Sequence, residues 1–429
     1  MSQPPEVLIA GAGPAGSSMA ALLAAMGHRV LVVDRAVFPR DKACSEYLSP
    51  AAVEELEKLG VVADLEAAGA APLLGTRVFG SKGAQLTGSF DRVALPRPRT
   101  RGLAVSRRVL DARLVQAARA AGAEVREATT VEDLLYQDGA VAGAVLRDAQ
   151  GQRSVQHARV VVGADGLRSI VARRIGRRRH GPPSRMAFVA HVADVTGLDG
   201  HAEMHVGPEG YVGLNQIWAG RREGGTAGSR ETESAGPPAR QSASTVANVA
   251  LVVPTRLAAQ ASGRVNEFFF EQLARLPRVA GRVRLDHMVR PVLVTGPFAA
   301  WSGRIVTNGA LLIGDAAEFF DPFTGEGIYS ALKGAELAAA AVHHALGSGS
   351  GILPAWRLEP YRVARRSAFL GKWAIERLVG YGMLLPGLFD RAVHRLETRG
   401  MSHTFVGVTA DILPARAVLN PWFLARMVL

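Results

Sequence analysis

Val7-Leu8-Ile9-Ala10-Gly11-Ala12-Gly13-Pro14-Ala15-Gly16 begins with four apolar residues that read as a buried strand and continues into a glycine-rich turn. Residues 17–26, rich in Ala and Leu, have helical character; Gly27-His28 makes a turn, and Val30–Val33 reads as a second strand ending at Asp34. Strand, turn, helix and strand in this order form the context that the G-x-G-x-x-G dinucleotide fingerprint requires. Gly11 permits the tight turn, Gly13 lets backbone approach a pyrophosphate, and Gly16 allows the helix to pack closely on the strand. With Pro14 and Ala15 they form an expected phosphate cradle at a helix N-terminus, where free N–H groups and the dipole favour an anion. Asp34, followed by Arg35, is placed to accept from ribose hydroxyls.

The remainder of the chain sets bounds on this reading. Its 429 residues leave room for two or three structural units, and 48% apolar content supports a sizeable core. A single cysteine excludes an intramolecular disulfide scaffold and Cys-rich metal centres, which fits a reducing, cytoplasmic compartment. The net charge is 50 − 38 = +12, yet only five of the basic residues are Lys, and the Arg are spread along the chain. No recognition motif accompanies them, so nucleic-acid binding is not expected, while peripheral contact with a membrane surface stays open. No signal peptide is expected, because no basic n-region precedes the first strand. The glycines within 7–33 argue against a membrane span there.

Four further segments carry chemistry. They are Phe38-Pro39-Arg40-Asp41-Lys42-Ala43-Cys44-Ser45-Glu46; Val105-Ser106-Arg107-Arg108-Val109-Leu110-Asp111; Gly163-Ala164-Asp165-Gly166-Leu167-Arg168-Ser169; and Gly314-Asp315-Ala316-Ala317 running into Asp321-Pro322-Phe323-Thr324-Gly325-Glu326-Gly327-Ile328. On these residues the chain resembles the glutathione-reductase-type FAD oxidoreductases, which include aromatic hydroxylases, flavin-dependent halogenases and geranylgeranyl reductases. The resemblance implies an α/β fold: an FAD-binding Rossmann domain, an inserted antiparallel β-sheet substrate domain and a C-terminal helical region. The expected FAD-binding parts are 1–75, 100–180 and 290–345; the β-rich substrate domain is 76–99 and 181–289, and the helical region is 346–429.

The resemblance also implies site residues. Lys42 and Arg107 would meet the FAD phosphates or the flavin edge, and Asp165 would lie near the pyrophosphate. Gly314 and Asp315, at the end of an apolar strand, are placed to fix hydroxyls of the ribityl chain. Gly325, Gly327 and Ile328 precede an Ala-rich helix expected at 329–341, whose N-terminus would face the N1–C2=O edge of the flavin, where negative charge develops on reduction. Only one G-x-G-x-x-G unit is present, so an external reductant, NAD(P)H or an electron-donor protein, is expected to visit transiently.

Three functions compete. The first is reduction of carbon–carbon double bonds in a hydrophobic small molecule, as in geranylgeranyl reductases, with Cys44 as catalytic proton donor. Ser45 stands where those reductases carry Gly, and Tyr211-Val212-Gly213-Leu214-Asn215-Gln216 where they carry an aromatic Y-x-W-x-F-P strand. The second is flavin-dependent monooxygenation, hydroxylating or epoxidising an apolar or aromatic substrate, for which the protein need only exclude water and position the substrate. The third is a non-enzymatic flavoprotein that escorts a lipid or partner. Halogenation is disfavoured: W-x-W-x-I-P is absent, and Lys82 sits in a Ser-Lys-Gly turn as a solvated side chain. His201-Ala202-Glu203-Met204-His205 reads as extended chain and His343-His344 point apart, so no metal site is assigned. The polar stretch 219–245 reads as disordered decoration or a lid, and 378–389 as part of a helical cap, an apolar tunnel lining or a membrane contact.

Overall fold

The glycine-rich turn emerges from the middle of a six-stranded sheet. The structure, a computed structural model, describes residues 4–95, 98–176, 178–218, 245–347 and 349–428, so all but one residue of the polar stretch 219–245 lies outside the described residues. Five parallel strands run in the order Ala310–Leu312, Val160–Gly163, Val7–Ala10, Val30–Val33 and Glu124–Arg126, with Val306–Thr307 antiparallel at one edge. Ile9 pairs with both Val32 and Val162. The central strands are apolar at every position because both faces are covered. Val7, Ile9, Val30 and Val32 pack under the helices Pro14–Ala25 and Gly327–Leu346. Leu8, Ala10, Leu31 and Val33 pack against the three-stranded sheet formed by Thr130–Gln137, Ala140–Arg147 and Arg153–His157. This is the two-residue period of a strand at work.

A seven-stranded sheet forms the second layer. Its order is Met288–Thr295, Arg185–Ala193, Val246–Pro254, Tyr211–Trp218, His201–Val206, Gly75–Phe79 and Gln85–Ser89. Neighbours are antiparallel except His201–Val206 and Gly75–Phe79, which run parallel. One face carries Phe188, Val192, Leu214 and Leu251 onto the helix Val265–Ala274 through Phe268 and Phe269. The other presents Ala187, Val189, Tyr211 and Val252 to the side on which the flavin segments lie. The strand Met288–Thr295 carries this sheet past residue 289; Pro291 within it is exposed, as a proline on an edge strand should be.

The C-terminal part is helical: Ala355–Gly382, Pro386–Thr398, Ser402–Thr409 and Pro421–Val428. Val379, Met383, Val393, Leu396 and Val406 close it over the seven-stranded sheet. At Gly88 a Cβ would stand 2.3 Å from Val406 Cγ2, so the hairpin and the helices touch backbone to side chain. No helix among the described residues is long and apolar enough to cross a membrane.

Candidate active site

Between the two sheets runs a cleft of about 1410 Å³, counting its solvent-open mouth. One end is the glycine-rich turn. Gly11 adopts φ +99°, and a Cβ there would meet Ala164 O at 2.5 Å. At Gly16 a Cβ would stand 1.8 Å from Gly11 O, so that glycine is required by packing alone. Gly13 is different. It is the N-cap of the helix Pro14–Ala25, and the nearest atoms to a Cβ there are the Nη2 atoms of Arg40 and Arg107, 3.8 and 3.9 Å away. Its first-turn N–H groups have no side-chain cap and no acidic neighbour, which is a ready anion site.

The basic groups around that turn are held by one carboxylate. Asp111, fully buried, accepts from Arg107 Nε at 2.7 Å and Nη2 at 2.8 Å, and pairs with Arg40 Nη1 at 3.0 Å. Burial works against the charge on Arg107, but Asp111 outweighs it and holds the guanidinium firmly ionised. Burial lowers the Lys42 ammonium below its ordinary range and Arg107 adds to this; Lys42 Nζ lies 3.5 Å from where a Gly166 Cβ would stand. Arg40, Lys42 and Arg107 together outnumber Asp111 beside the open turn, the donor set that a dinucleotide diphosphate needs.

Not every expected binding residue lines the cleft. Gly13, Pro14, Ala15, Lys42, Cys44, Arg107, Gly314, Asp315, Gly325, Gly327 and Ile328 do. Asp34 instead braces the turn from outside, its Oδ2 accepting from Ala12 N and its Oδ1 from Ala36 N, both at 2.8 Å. Arg35 is exposed. Asp165 is turned back into its own loop, where Oδ2 accepts from Ile170 N at 2.7 Å; burial raises its carboxyl above the ordinary range. Its neighbours Ala164, Gly166 and Leu167 face the cleft in its place. Lys82 is exposed on its turn, where its N–H donates to Asp390 Oδ1 at 2.8 Å, and it does not line the cleft. The segment His201–Val206 is a strand, with His205 Nε2 2.7 Å from Glu203 Oε2.

Beside the glycine-rich turn, where a Gly314 Cβ would lie 3.1 Å from Ala15 Cβ, Gly314 (φ +55°) and Asp315 leave the strand Ala310–Leu312 in a single helical turn. Arg178 donates to Asp315 O, Ala316 O and Leu167 O, tying this turn to the Asp165-Gly166 turn. Gly325 adopts φ +74°, and a Cβ there would lie 2.8 Å from the Tyr47 ring. The helix beyond it starts at Gly327, two residues earlier than expected, and runs to Leu346. Asp321 anchors the approach: it accepts from Tyr211 Oη at 2.6 Å, Phe323 N at 3.0 Å and Arg185 Nη1 at 2.7 Å. Glu326 is buried and pushed well above the ordinary carboxylate range by burial; its Oε2 accepts from Ser49 Oγ. Apolar groups, among them Val189, Met204, Val252, Phe298 and Phe319, line the chamber on the side of the seven-stranded sheet.

Cys44 lines the same cleft as the basic turn and this apolar chamber. Its sulfur is 3.4 Å from Glu46 N and also meets Arg107. The segment is pinned from two sides. Asn248 Nδ2 donates to the carbonyls of Cys44 and Ser45 at 3.0 and 2.8 Å. Glu46, fully buried at φ +55°, accepts from Arg107 N at 2.9 Å and lies 2.7 Å from His191 Nε2. Arg40, Asp111, Glu46, His191, Asn248, Arg178 and Asp321 were not read from the sequence as site residues. The four-residue spacing of Arg107 and Asp111 on one helix was the signal available for the first pair; His191 and Asn248 approach from strands far away in sequence.

A glycine-rich turn on a parallel sheet, a basic cradle beside it and an apolar chamber beneath an antiparallel sheet define a flavin-dependent oxidoreductase. Residues 5–368 match the FAD binding domain family, FAD_binding_3, and the chain belongs to it. A digeranylgeranylglycerophospholipid reductase of Methanothermobacter thermautotrophicus is 26% identical over 401 residues, 91% of this chain and 90% of that one. A menaquinone reductase of Mycolicibacterium smegmatis is 36% identical over 217 residues, and this chain spans about half of its length (48% of this chain, 49% of that one). Among solved structures, the myxobacterial chondrochloren halogenase superposes with a TM-score of 0.76 at 23% identity, covering 100% of this chain and 95% of that one. A geranylgeranyl bacteriochlorophyll reductase-like protein of Thermoplasma acidophilum gives 0.74 at 18%, covering 97% and 96%. At these identities the structural likeness speaks for the fold.

Proposed function

We propose that this enzyme reduces a carbon–carbon double bond in a prenyl-type, hydrophobic small molecule. The observation that carries the reading is that Cys44 lines the cleft shared by the cofactor cradle and the apolar chamber. The alignment with a digeranylgeranylglycerophospholipid reductase along nine-tenths of the chain supports the substrate class. In this reading Arg40, Lys42 and Arg107 hold the diphosphate of FAD, and Asp315 meets its hydroxyls. Bound and reduced, FAD supplies a hydride to one alkene carbon; its two electrons come from NAD(P)H or an electron-donor protein. Cys44 gives its proton to the other carbon. The thiol is then reprotonated from water, so the alkene gains two hydrogens. The apolar walls hold the chain and exclude water.

The test is anaerobic incubation of the reduced enzyme with geranylgeranyl lipids, followed by mass spectrometry. Products heavier by two hydrogens per reduced bond are expected. Products that instead incorporate oxygen when air is admitted, with no saturated product under argon, would overturn the reading in favour of monooxygenation.

A further inference from the structure

The helix Ala355–Gly382 is 28 residues long and spans about 42 Å. Positions on it advance by about 100°, which puts Trp356, Pro360, Val363, Leu370, Leu378 and Tyr381 within about 40° of one line. All six are exposed, Trp356 at 70%, Val363 at 58% and Leu370 at 54%. Ser367 and Ala374 fill the remaining positions of the line and are exposed too. Leu384, Leu385 and Leu388 carry the apolar surface into the next turn and helix. The opposite face is core: Tyr361, Phe369, Ile375 and Val379 are buried, the last two in the cluster that holds Phe298 and Phe323 of the cleft wall. The helix is therefore apolar on both sides, the reverse of an ordinary surface helix.

The rim of the stripe is basic. Arg366, with Arg362 beyond it, flanks one side and Arg357 the other, its guanidinium 5.0 Å over the Trp356 ring; Arg377, also on the first side, is paired with Glu318 at 2.9 Å. The helix has two carboxylates. Glu359 pairs with Arg362, and Glu376 is turned inward against Lys372. A second copy of the chain laid on this stripe would set arginine against arginine. An apolar stripe with a tryptophan and a tyrosine near its ends and an arginine rim matches an anionic bilayer surface.

We propose that the Trp356–Tyr381 stripe lies on anionic lipid, with its apolar side chains among the acyl chains and its arginines at the headgroups. This goes beyond the reductase reading, since it concerns where the enzyme works and not which bond it changes. The test uses the full-length, FAD-loaded protein and vesicles without substrate, so that its outcome is independent of that reading. Co-flotation is expected with vesicles containing phosphatidylglycerol, falling with added salt, and is expected to be weak with pure phosphatidylcholine. Leu370→Glu and Val363→Glu should each reduce the bound fraction several-fold, and Arg362→Glu combined with Arg366→Glu should abolish the preference for anionic lipid. Retained FAD absorbance and an unchanged melting temperature certify the fold of each variant. Absence of flotation, or flotation unaffected by Leu370→Glu, overturns the proposal. A dimer in solution that Leu370→Glu disperses would assign the stripe to a second copy and overturn it equally.

Discussion

Both oxygens of Asp111 clasp the Arg107 guanidinium, at 2.7 and 2.8 Å, one helical turn apart and out of solvent beneath the glycine-rich turn. The same carboxylate reaches Arg40, so a single acid spaces two cations that would otherwise repel. Arg107→Ala removes a charged donor from the phosphate cradle. It should weaken FAD binding by about tenfold or more, since a charge-assisted hydrogen bond contributes about 1.5–3 kcal/mol. Asp111→Asn should be worse for the fold, because the buried Arg107 and half-buried Arg40 guanidiniums lose their counter-charge and one accepting oxygen, at a cost of about 3–5 kcal/mol. Flavin-fluorescence titration and thermal unfolding separate the two effects.

The glycines of the turn divide by what a methyl group would meet. At Gly16 it would strike Gly11 O at 1.8 Å, and backbone cannot give way cheaply. Gly16→Ala should lower the melting temperature of the apoprotein and abolish FAD retention. At Gly13 the nearest atoms are guanidinium ends beyond 3.7 Å, so Gly13→Ala should fold normally and lose affinity for FAD alone. An apoprotein melting temperature that falls equally in both variants would contradict this division.

Cys44 supports a sharper kinetic statement. If its thiol donates the proton, Cys44→Ala should lower turnover by about 10²–10⁴-fold with FAD content unchanged, the range for a lost general acid. Cys44→Ser, a hydroxyl of similar size but far weaker acidity, should recover little of it. Full activity in Cys44→Ala would remove the cysteine from the chemistry.

What the sequence makes legible here is local. The turn at Gly11–Gly16, the strands on either side and the helix after Gly325 are each specified within about twenty residues by apolar runs and glycines. Arg40 and Asp111 lay inside segments already singled out, but nothing in a linear reading says that the carboxylate of one segment clasps the guanidinium of another. The support beneath Cys44 is less legible still. His191 and Asn248 face Glu46 and Cys44 only because neighbouring antiparallel strands pair in one register, and that register is fixed by packing across the whole sheet. Met288–Thr295 was obscured by Pro291, which weakens any strand pattern and is tolerated there only because the strand is an edge.

Asn248 tests whether that remote support matters. Its amide holds the Cys44 and Ser45 carbonyls, and Asn248→Ala leaves two partly buried acceptors unpaired, at a cost of up to about 1–3 kcal/mol. Because Asn248 acts through the loop, the variant should lower kcat more than it raises KM and leave the phosphate cradle intact. Undiminished FAD affinity with slowed turnover is the expected pair of readings. Equal losses in both would make Asn248 a general stabiliser of the sheet.

Glu376 gives the protein a measurable pH response. Burial raises its carboxyl to about 7, with Asp411 and Glu318 adding to the shift and Lys372, 3.6 Å away, and Arg377 opposing it. The folded state thus binds this proton more tightly than the unfolded chain, whose glutamate titrates near 4.5. The resulting stabilisation is fully present below pH 4.5 and is lost as pH rises through about 7. A shift of 7 − 4.5 units corresponds to roughly 3 kcal/mol at most. Glu376→Gln keeps the shape and removes the titration, so its melting temperature should fall less than that of the parent between pH 4.5 and 7 and exceed it above pH 7. Parallel melting curves for the two proteins across this window would show that the Glu376 carboxyl titrates alike in the folded and unfolded chain, and that Lys372 cancels the effect of burial.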